Sequence, residues 1–359
     1  MMKTDRLLKV TQNMREMGLK QLLISAPNSI FYLTGKFIHP GERMVVLSVK
    51  ENGDTTLFAN RLFAVGSVDG ANLIEYDDTD DCIAVLSEGV ESGNIGFDKE
   101  WACRFALPLM ERRSDIKAII GSPAVDRARM LKTKEEIDLM RLSSRLNDKA
   151  IDKAISALSD GVKESEIANV YMNEARRLGA GGGSFDSLIC FGANCAEPHH
   201  ATDDTMIKAG DSVILDVGAS LNAYCSDMTR TVFFKSATEE QKKVYEIVER
   251  ANAAGRAAVK PGVKLKDVDR AARKVIEDAG YGKYFIHRTG HGIGLEVHEF
   301  PDVSAVSEAV CEPGMVFSVE PGIYLPGSFG VRVEDLVAVT EDGCETLNEY
   351  TKEMRVVGC

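Results

Sequence analysis

Short apolar runs separated by turn residues characterise the first third of the chain. The runs with the length and composition of β-strands lie at 21–25, 43–48 and 55–59. Asn52-Gly53, between the last two runs, is typical of a hairpin turn. Charge-rich amphipathic stretches at 4–18 and 102–113 predict helices. Because strands alternate with helices, we expect a small α/β domain over residues 1–125.

Longer helical patterns dominate residues 126–359. Thr133-Lys134-Glu135-Glu136 forms a capping box, which predicts the start of a helix that continues to Leu158. Further helices are predicted at 164–178, 238–258 and 265–279, and strand-like runs at 212–217, 230–234, 315–319 and 331–339. The sequence therefore predicts an α+β second domain in which helices pack on an antiparallel sheet.

Charge and composition narrow the classes of function. The chain has 359 residues, enough for two domains, and 43 Lys and Arg against 55 Asp and Glu give a net charge of −12. This excess of acids argues against nucleic-acid or anionic-membrane partners. The sequence has no apolar window long enough to span a membrane and no signal-peptide pattern, so we expect a cytoplasmic protein. Its eight cysteines form no CxxC pair, which predicts reduced thiols.

Four carboxylates stand beside apolar strands in the second domain. Asp216 ends one predicted strand, and Asp227 follows at a distance that suits the returning strand of a hairpin. Glu320 and Glu334 are placed similarly, Glu320 closing one strand and Glu334 lying inside the next. Carboxylates opposed across a hairpin repel each other unless a cation lies between them. Solvated turn aspartates, and for Arg332 a plain ion pair, are the structural alternatives.

Five of the six histidines lie between 199 and 298. His291 has glycines on both sides, which allow close approach of backbone or a metal. Seven positions separate His291 from His298, so on an extended segment their side chains would face opposite ways. Four carboxylates and one imidazole suit Mn²⁺, Co²⁺, Zn²⁺ or Fe²⁺. Because four negative charges balance two divalent cations, we expect a two-metal hydrolytic site. The ligand set accepts all four metals; manganese is the first expectation.

The phrases SDMTRTV, HRTGHGIGLEVHE, EPGIY and VRVED resemble those of the pita-bread metallopeptidases, most closely prolidase and aminopeptidase P. The phrase at 26–35 is similar to the creatinase-like N-terminal domain of that family, and 129–137 to the entry into its catalytic domain. The resemblance implies a creatinase-like α/β domain over 1–125, followed by a pita-bread catalytic domain over 126–359.

The resemblance also implies roles for individual residues. Asp216 would bind the first metal through both oxygens, Asp227 and Glu334 would bridge the metals, and His291 and Glu320 would bind the second. A hydroxide between the metals would attack an Xaa-Pro bond, with Glu320 also carrying the proton. His199 and His298 would polarise the scissile carbonyl, and Arg332 would lie near the substrate. The family further implies a homodimer and a peptide substrate with proline at its second position; His200 receives no role.

Two details bear on the substrate. Tyr324, Phe191 and Phe300 could wall a proline pocket, although such aromatic residues are more often plain core. Asp302, in the phrase His298-Glu299-Phe300-Pro301-Asp302, is an acid where a dipeptidase is expected to carry a base for the free carboxylate. This favours an Xaa-Pro aminopeptidase that accepts longer peptides, although Arg332 or the other subunit could supply the base.

Several alternatives remain open at this point. The first is a strict Xaa-Pro dipeptidase. A creatinase-like amidinohydrolase would lack the full metal set, and a methionine aminopeptidase would lack the N-terminal domain. A peptide-binding relative without activity would have lost ligands.

Overall fold

The computed structural model describes residues 2–358, which separate into two compact units, one ending at Arg129 and the other beginning at Met130. None of the helices within these residues combines the length and apolar composition of a membrane span.

The first unit alternates helices and strands, as its sequence pattern predicts. Its helices are α1 (Thr4–Glu16), α2 (Pro27–Thr34), α3 (Cys82–Glu88), α4 (Cys103–Arg112) and α5 (Pro123–Met130). Its strands are β1 (Gln21–Ile24), β2 (Val46–Lys50), β3 (Thr55–Asn60), β4 (Asn72–Tyr76), β5 (Gly93–Phe97) and β6 (Ile116–Ile120). Gly53, at φ +95°, supplies the left-handed residue of the turn between β2 and β3, because glycine adopts this conformation without strain.

These strands form one mixed sheet in the order β4-β3-β2-β1-β5-β6. The pairs β1–β2 and β2–β3 are antiparallel, whereas β3–β4, β1–β5 and β5–β6 are parallel. Parallel neighbours require crossover connections, which the intervening helices provide. The prediction of an α/β domain is confirmed.

The second unit contains four helices and fourteen strands among the described residues. The helices are α6 (Lys134–Ser156), α7 (Glu164–Arg177), α8 (Glu239–Ala258) and α9 (Leu265–Asp278). The strands between α7 and α8 are β7 (Gly182–Gly183), β8 (Leu188–Phe191), β9 (Ser212–Val217), β10 (Ala219–Leu221), β11 (Tyr224–Cys225) and β12 (Met228–Phe234). Those after α9 are β13 (Gly290–Gly292), β14 (Glu299–Val303), β15 (Val316–Val319), β16 (Gly322–Leu325), β17 (Phe329–Arg332), β18 (Asp335–Val339), β19 (Cys344–Thr346) and β20 (Val356–Val357).

Two larger sheets carry the second unit, in the orders β20-β12-β9-β8 and β14-β13-β15-β18-β19. Smaller sheets contain β11-β10-β7 and β16-β17. Every one of these pairings is antiparallel except that of β12 with β20. The predicted arrangement of helices on antiparallel sheet is confirmed.

The helices begin where the sequence signals them and hold the strand ends that carry the polar residues. Thr133 and Glu136 form the predicted capping box at the start of α6. From α6, the buried Asn147 donates to the carbonyl of Val217, 2.8 Å away, at the end of β9. From α8, the buried Asn252 donates to the carbonyls of Val319 (2.8 Å) and Val333 (3.3 Å). Two helices thus fix the ends of β9 and β15 and the residue that follows β17.

The predicted strand at 331–339 is wrong as a single element. It divides at Val333 and Glu334, so that β17 pairs with β16 and β18 pairs with β15. The Glu334 N–H donates to the carbonyl of Thr229 in β12, 3.1 Å away, instead of pairing with β15 or β16. Glu334 therefore lies between two strands rather than inside one, and the alternation of apolar and charged residues over 331–335, which suits a continuous strand, concealed the break.

Candidate metal centre and active site

A cavity of about 570 Å³ in the second unit collects the predicted site residues. All five predicted metal ligands and all three predicted substrate residues line it, namely Asp216, Asp227, His291, Glu320, Glu334, His199, His298 and Arg332. Residues that lie up to 135 positions apart in the sequence therefore share one chamber.

The ends of antiparallel strands position the four carboxylates. Asp216 lies in β9 and pairs with Thr229 of β12, while Asp227 immediately precedes β12. Glu320 lies between β15 and β16, and Glu334 between β17 and β18. Asp216 thus reaches the cavity from a paired strand position, whereas Asp227, Glu320 and Glu334 reach it from residues just outside regular strands.

The closest grouping consists of Asp227, His291 and Glu334, each of which offers a ligand atom within 4.8 Å of the others. His291 Nε2 lies 3.7 Å from Asp227 Oδ2 and 3.4 Å from Glu320 Oε1. The His291 Nδ1–H donates to the carbonyl of Gly292, 3.1 Å away. Burial lowers the pKa of His291 to about 3, so the ring is neutral and Nε2 is free to bind a cation.

Two buried carboxylate oxygens, Asp216 Oδ1 and Asp227 Oδ1, have no hydrogen-bond donor within the described part of the chain. Burial, followed by repulsion from Glu334 and Asp216, raises the pKa of Asp227 well above its usual range. Burial and repulsion from Glu320 and Asp216 do the same for Glu334. A bound cation would satisfy the orphaned oxygens and remove this repulsion, so the donor set fits divalent metals.

Arg332 connects this group of carboxylates to its surroundings. It is almost completely buried and donates to Asp216 Oδ2 (2.6 Å), Tyr324 Oη (2.8 Å) and Thr229 Oγ1 (3.1 Å). Thr229 in turn donates to Glu334 Oε2 over 2.7 Å. The guanidinium thus orients two of the predicted ligands, and one oxygen of Asp216 already accepts a charged hydrogen bond.

His287 is a cavity residue to which the sequence pattern assigned no role. Its Nδ1–H donates to the carbonyl of Arg288 (2.7 Å), so Nε2 accepts the Tyr324 hydroxyl proton at 2.8 Å. Burial and the nearby Arg332 lower the pKa of His287 to about 3, which keeps it neutral. Its place in HRTGHG could have signalled the site, but its hydrogen-bond partner lies 37 residues away in the sequence.

The two predicted substrate histidines differ in their surroundings. His298 lies against His291, with the ring centroids 4.2 Å apart and the rings at 79°. The opposite orientation predicted for an extended segment does not apply, because the chain turns between β13 and β14 instead of remaining extended. Burial lowers the pKa of His298. His199 reaches the cavity from the irregular segment after β8.

The three aromatic residues predicted to wall a proline pocket are not the ones that form the apolar wall of the cavity. Phe191 belongs to the hydrophobic core, Tyr324 is buried behind Arg332, and Phe300 is 45% exposed. Among the described residues, the apolar side chains that line the cavity are Phe185, Leu188, Pro198 and Val297. Phe191 is therefore a core residue, the more common role of such aromatic side chains.

Asp302 does not present an isolated negative charge. Its carboxylate accepts a hydrogen bond from the guanidinium of Arg288, which itself lines the cavity. The negative charge of Asp302, expected from the sequence to repel a substrate carboxylate, therefore has a positively charged partner.

Comparison with known proteins agrees with this geometry. The model of the Metallopeptidase family M24 matches residues 138–341, and that of the Creatinase/Prolidase N-terminal domain matches residues 6–131. An uncharacterized peptidase of Staphylococcus saprophyticus is 37% identical over 97% of this chain and all of its own length.

Two solved structures share both domains. A recombinant prolidase from Thermococcus sibiricus is 33% identical, with a TM-score of 0.95, over 99% of this chain and 100% of its own. An X-Pro aminopeptidase from Thermotoga maritima is 30% identical, with a TM-score of 0.86, over 98% of this chain and 99% of its own. The predicted fold, a creatinase-like domain followed by a pita-bread domain, is confirmed. The chain belongs to metallopeptidase family M24 and carries the N-terminal domain of creatinases and prolidases.

Proposed function

We propose that the protein is a metal-dependent exopeptidase that hydrolyses the bond between an N-terminal residue and a following proline, as an Xaa-Pro aminopeptidase does. The observation that supports this most strongly is the shared cavity. It holds five metal-ligand candidates beside two histidines and an arginine, within a chain of family M24.

Asp216, Asp227, His291, Glu320 and Glu334 would hold two divalent ions, with manganese as the first expectation. Ions bound there would supply Lewis-acid activation of a water molecule for attack on a carbonyl. The orphaned oxygens of Asp216 and Asp227 support this assignment, because buried acceptors without donors are costly. The full ligand set argues against a peptide-binding relative without activity.

Glu320 is placed to move a proton. Its carboxylate accepts the Ser318 hydroxyl over 3.2 Å and lies at the cavity wall. Burial raises the pKa of Glu320 to about 7 in the metal-free chain, although Arg332 opposes the shift. A carboxylate at this position could accept a proton from the nucleophile and donate it to the leaving proline nitrogen.

The substrate bond dictates what else the cavity needs. A proline nitrogen carries no hydrogen once it is acylated, so recognition falls on the carbonyl and the ring. His199 and His298 would donate hydrogen bonds to the carbonyl oxygen, where negative charge develops during attack. Phe185, Leu188, Pro198 and Val297 offer apolar contact to a side chain or a proline ring.

A strict Xaa-Pro dipeptidase is the second candidate, and Arg288 favours it. This arginine lines the cavity and neutralises Asp302. One guanidinium nitrogen is bound to Asp302, and the remaining N–H donors of Arg288 could hold the free carboxylate of a dipeptide. The similarity to the prolidase of Thermococcus sibiricus supports the same alternative.

A peptide series tests the reaction and separates the two candidates. The chelator-stripped protein, reloaded with Mn²⁺, receives an Xaa-Pro dipeptide, Xaa-Pro-Pro and a longer Xaa-Pro peptide, with Xaa-Ala as control. The aminopeptidase predicts that kcat/KM is kept or rises with length, whereas the dipeptidase predicts a steep fall beyond two residues. Equal cleavage of Xaa-Ala, or no cleavage of any Xaa-Pro peptide, would contradict the proposal.

We further propose that the protein acts as a homodimer in the cytoplasm on peptides, without nucleic-acid or membrane partners. These points rest on the family resemblance and on the charge of the chain. Light scattering of the purified protein tests the dimer.

A further inference from the structure

His199 reaches the cavity from a segment that has no regular pairing of its own. After β8 ends at Phe191, the chain makes a 3₁₀ turn over Gly192–Ala196 and then presents Pro198 and His199 to the cavity. A histidine that polarises a carbonyl must be held within a fraction of an ångström of its productive position. Something outside this segment must therefore fix its backbone.

Glu164, the first residue of α7, supplies that fixation. Its side chain is fully buried, and both carboxylate oxygens accept hydrogen bonds from residues around His199. Oε1 accepts the Phe191 N–H at 2.7 Å and the Asn194 amide at 2.9 Å. Oε2 accepts the Asp203 N–H at 3.1 Å and lies 3.1 Å from His200 Nε2.

In its contact with Glu164, His200 must be the hydrogen-bond donor. Burial raises the pKa of Glu164, and the hydrogen bonds to its carboxylate oppose that shift. Three of the four contacts come from N–H groups, which favour the ionised carboxylate that can only accept. His200 Nε2 therefore carries a hydrogen and donates it to Oε2. Because His200 adjoins His199 in the chain, this bond fixes the peptide unit next to the cavity histidine.

The arrangement uses a buried charge where an apolar residue would suffice for packing alone. An ionised carboxylate taken from water is costly unless its lone pairs are satisfied, and here four donors from one thirteen-residue segment satisfy them. Such a fully satisfied network specifies one conformation of the segment it binds.

We infer that Glu164 and His200 form a positioning pair that holds His199 in place in the cavity. Neither residue touches the reacting atoms, and neither has a role in the two-metal site. The inference rests on the proposed function in that His199 must contact the substrate carbonyl, and it assigns His200 a role that its sequence position alone did not.

The test uses variants that differ only in the donor at position 200. His200→Gln keeps an N–H near the position of Nε2, whereas His200→Leu removes it. Ser165→Ala, in the same turn of α7, removes a hydrogen bond to Asp204 but none to the His199 segment, and serves as the matched control. If the leucine variant does not fold, His200→Asn, whose amide is too short to reach Glu164, replaces it.

The first readout does not depend on activity. The readout is the NMR spectrum of protein labelled with ¹⁵N-histidine, in which the His199 ring signals are identified by their absence in His199→Gln. We expect these signals to shift in His200→Leu. They should remain in place in His200→Gln and Ser165→Ala. Unchanged His199 signals in the leucine variant would overturn the positioning role, even if the protein cleaved no Xaa-Pro peptide.

The second readout is a double-mutant cycle on kcat with an Xaa-Pro peptide. His200→Leu should lower kcat by about tenfold to a hundredfold, since a misplacement of about 1 Å can cost about a hundredfold, with unchanged metal content. His200→Gln should restore most of it. In a His199→Gln background the His200→Leu change should add little, because it acts through His199. Additive losses would show a general structural role and contradict the inference.

Discussion

Arg332 links the carboxylates of the site to Tyr324. Its guanidinium donates in three directions, to Asp216, Tyr324 and Thr229, from an almost fully buried position. Lysine carries the same charge but only a single ammonium, which cannot span three partners of fixed geometry.

We therefore expect Arg332→Lys to fold but to lose roughly tenfold or more in kcat/KM, the consequence of losing one or more charged hydrogen bonds. Arg250→Lys, on the exposed surface of α8, is the matched control and should behave like the wild type. Steady-state kinetics on an Xaa-Pro peptide measure the difference, and an unimpaired Arg332→Lys protein would contradict the role given to the guanidinium.

Asp148 gives a prediction of pH dependence away from the metal centre. One oxygen accepts the Glu349 N–H at 2.7 Å, whereas Oδ1 has no hydrogen-bond partner within residues 2–358. Burial raises the pKa of Asp148 from 3.8 to about 6. Because the folded state then binds the proton more tightly than the unfolded state, this residue lowers stability as pH rises from about 4 to 6.

Asp148→Asn keeps the acceptor for Glu349 and removes the buried charge. The free energy of unfolding of the variant should exceed that of the wild type, and the difference should be largest at pH 8. The difference should shrink as the pH falls towards 4. Urea denaturation at several pH values measures this, with the exposed Asp278→Asn as control. A gain that grows on acidification would contradict the sign.

Carboxylates and histidines beside apolar strands and glycines indicated the five predicted ligands, and the resemblance to the metallopeptidases added His199, His298 and Arg332; all eight line the cavity. These signals could not locate His287, whose role depends on the distant Tyr324, or the pairing of Asp302 with Arg288. Side-chain partners brought together by the fold leave no periodic signal in the sequence.

At the scale of elements, the short strand β13 shows why the glycines around His291 are required. A Cβ built on Gly290 would lie 1.9 Å from the carbonyl oxygen of Ser318, in the neighbouring chain segment. Contact with backbone at this distance cannot be relieved by a side-chain rotation. The close approach of these segments places His291 beside Glu320.

Gly290→Ala should therefore lower the free energy of unfolding by about 1–3 kcal/mol and weaken metal binding together with it. Gly343→Ala, at a turn where a Cβ would meet nothing within 4 Å, is the control and should match the wild type. Thermal unfolding and metal analysis check both. Normal stability and metal content in Gly290→Ala would show that the segments can separate without consequence.

Helices with capping boxes and apolar faces were predictable, as α6 and α8 show, because the signals are local. The division of the run at 331–339 into β17 and β18 was not, because it depends on a hydrogen bond from Glu334 to β12. The same break turns the Glu334 carboxylate into the cavity. Local irregularity at a functional position is therefore where sequence periodicity fails.

For the whole molecule, the two sheets of the second unit matter because their strand ends meet at one cavity. Helices α6 and α8 hold those ends through Asn147 and Asn252, and buried carboxylates gather there at a cost that bound cations would offset. The net charge of −12 thus includes four acids whose charge is expected to be neutralised in the working protein.

The most direct test of the two-metal site is a titration of chelator-stripped protein with Mn²⁺, followed by metal analysis and hydrolysis of an Xaa-Pro peptide. We expect activity to appear with metal and to saturate at about two ions per chain, the number that four carboxylates balance. Glu334→Ala should lose both bound metal and turnover, while Glu341→Ala, the same change at an exposed position, should behave like the wild type. Full activity in Glu334→Ala, or hydrolysis by the wild type in excess chelator, would contradict the account.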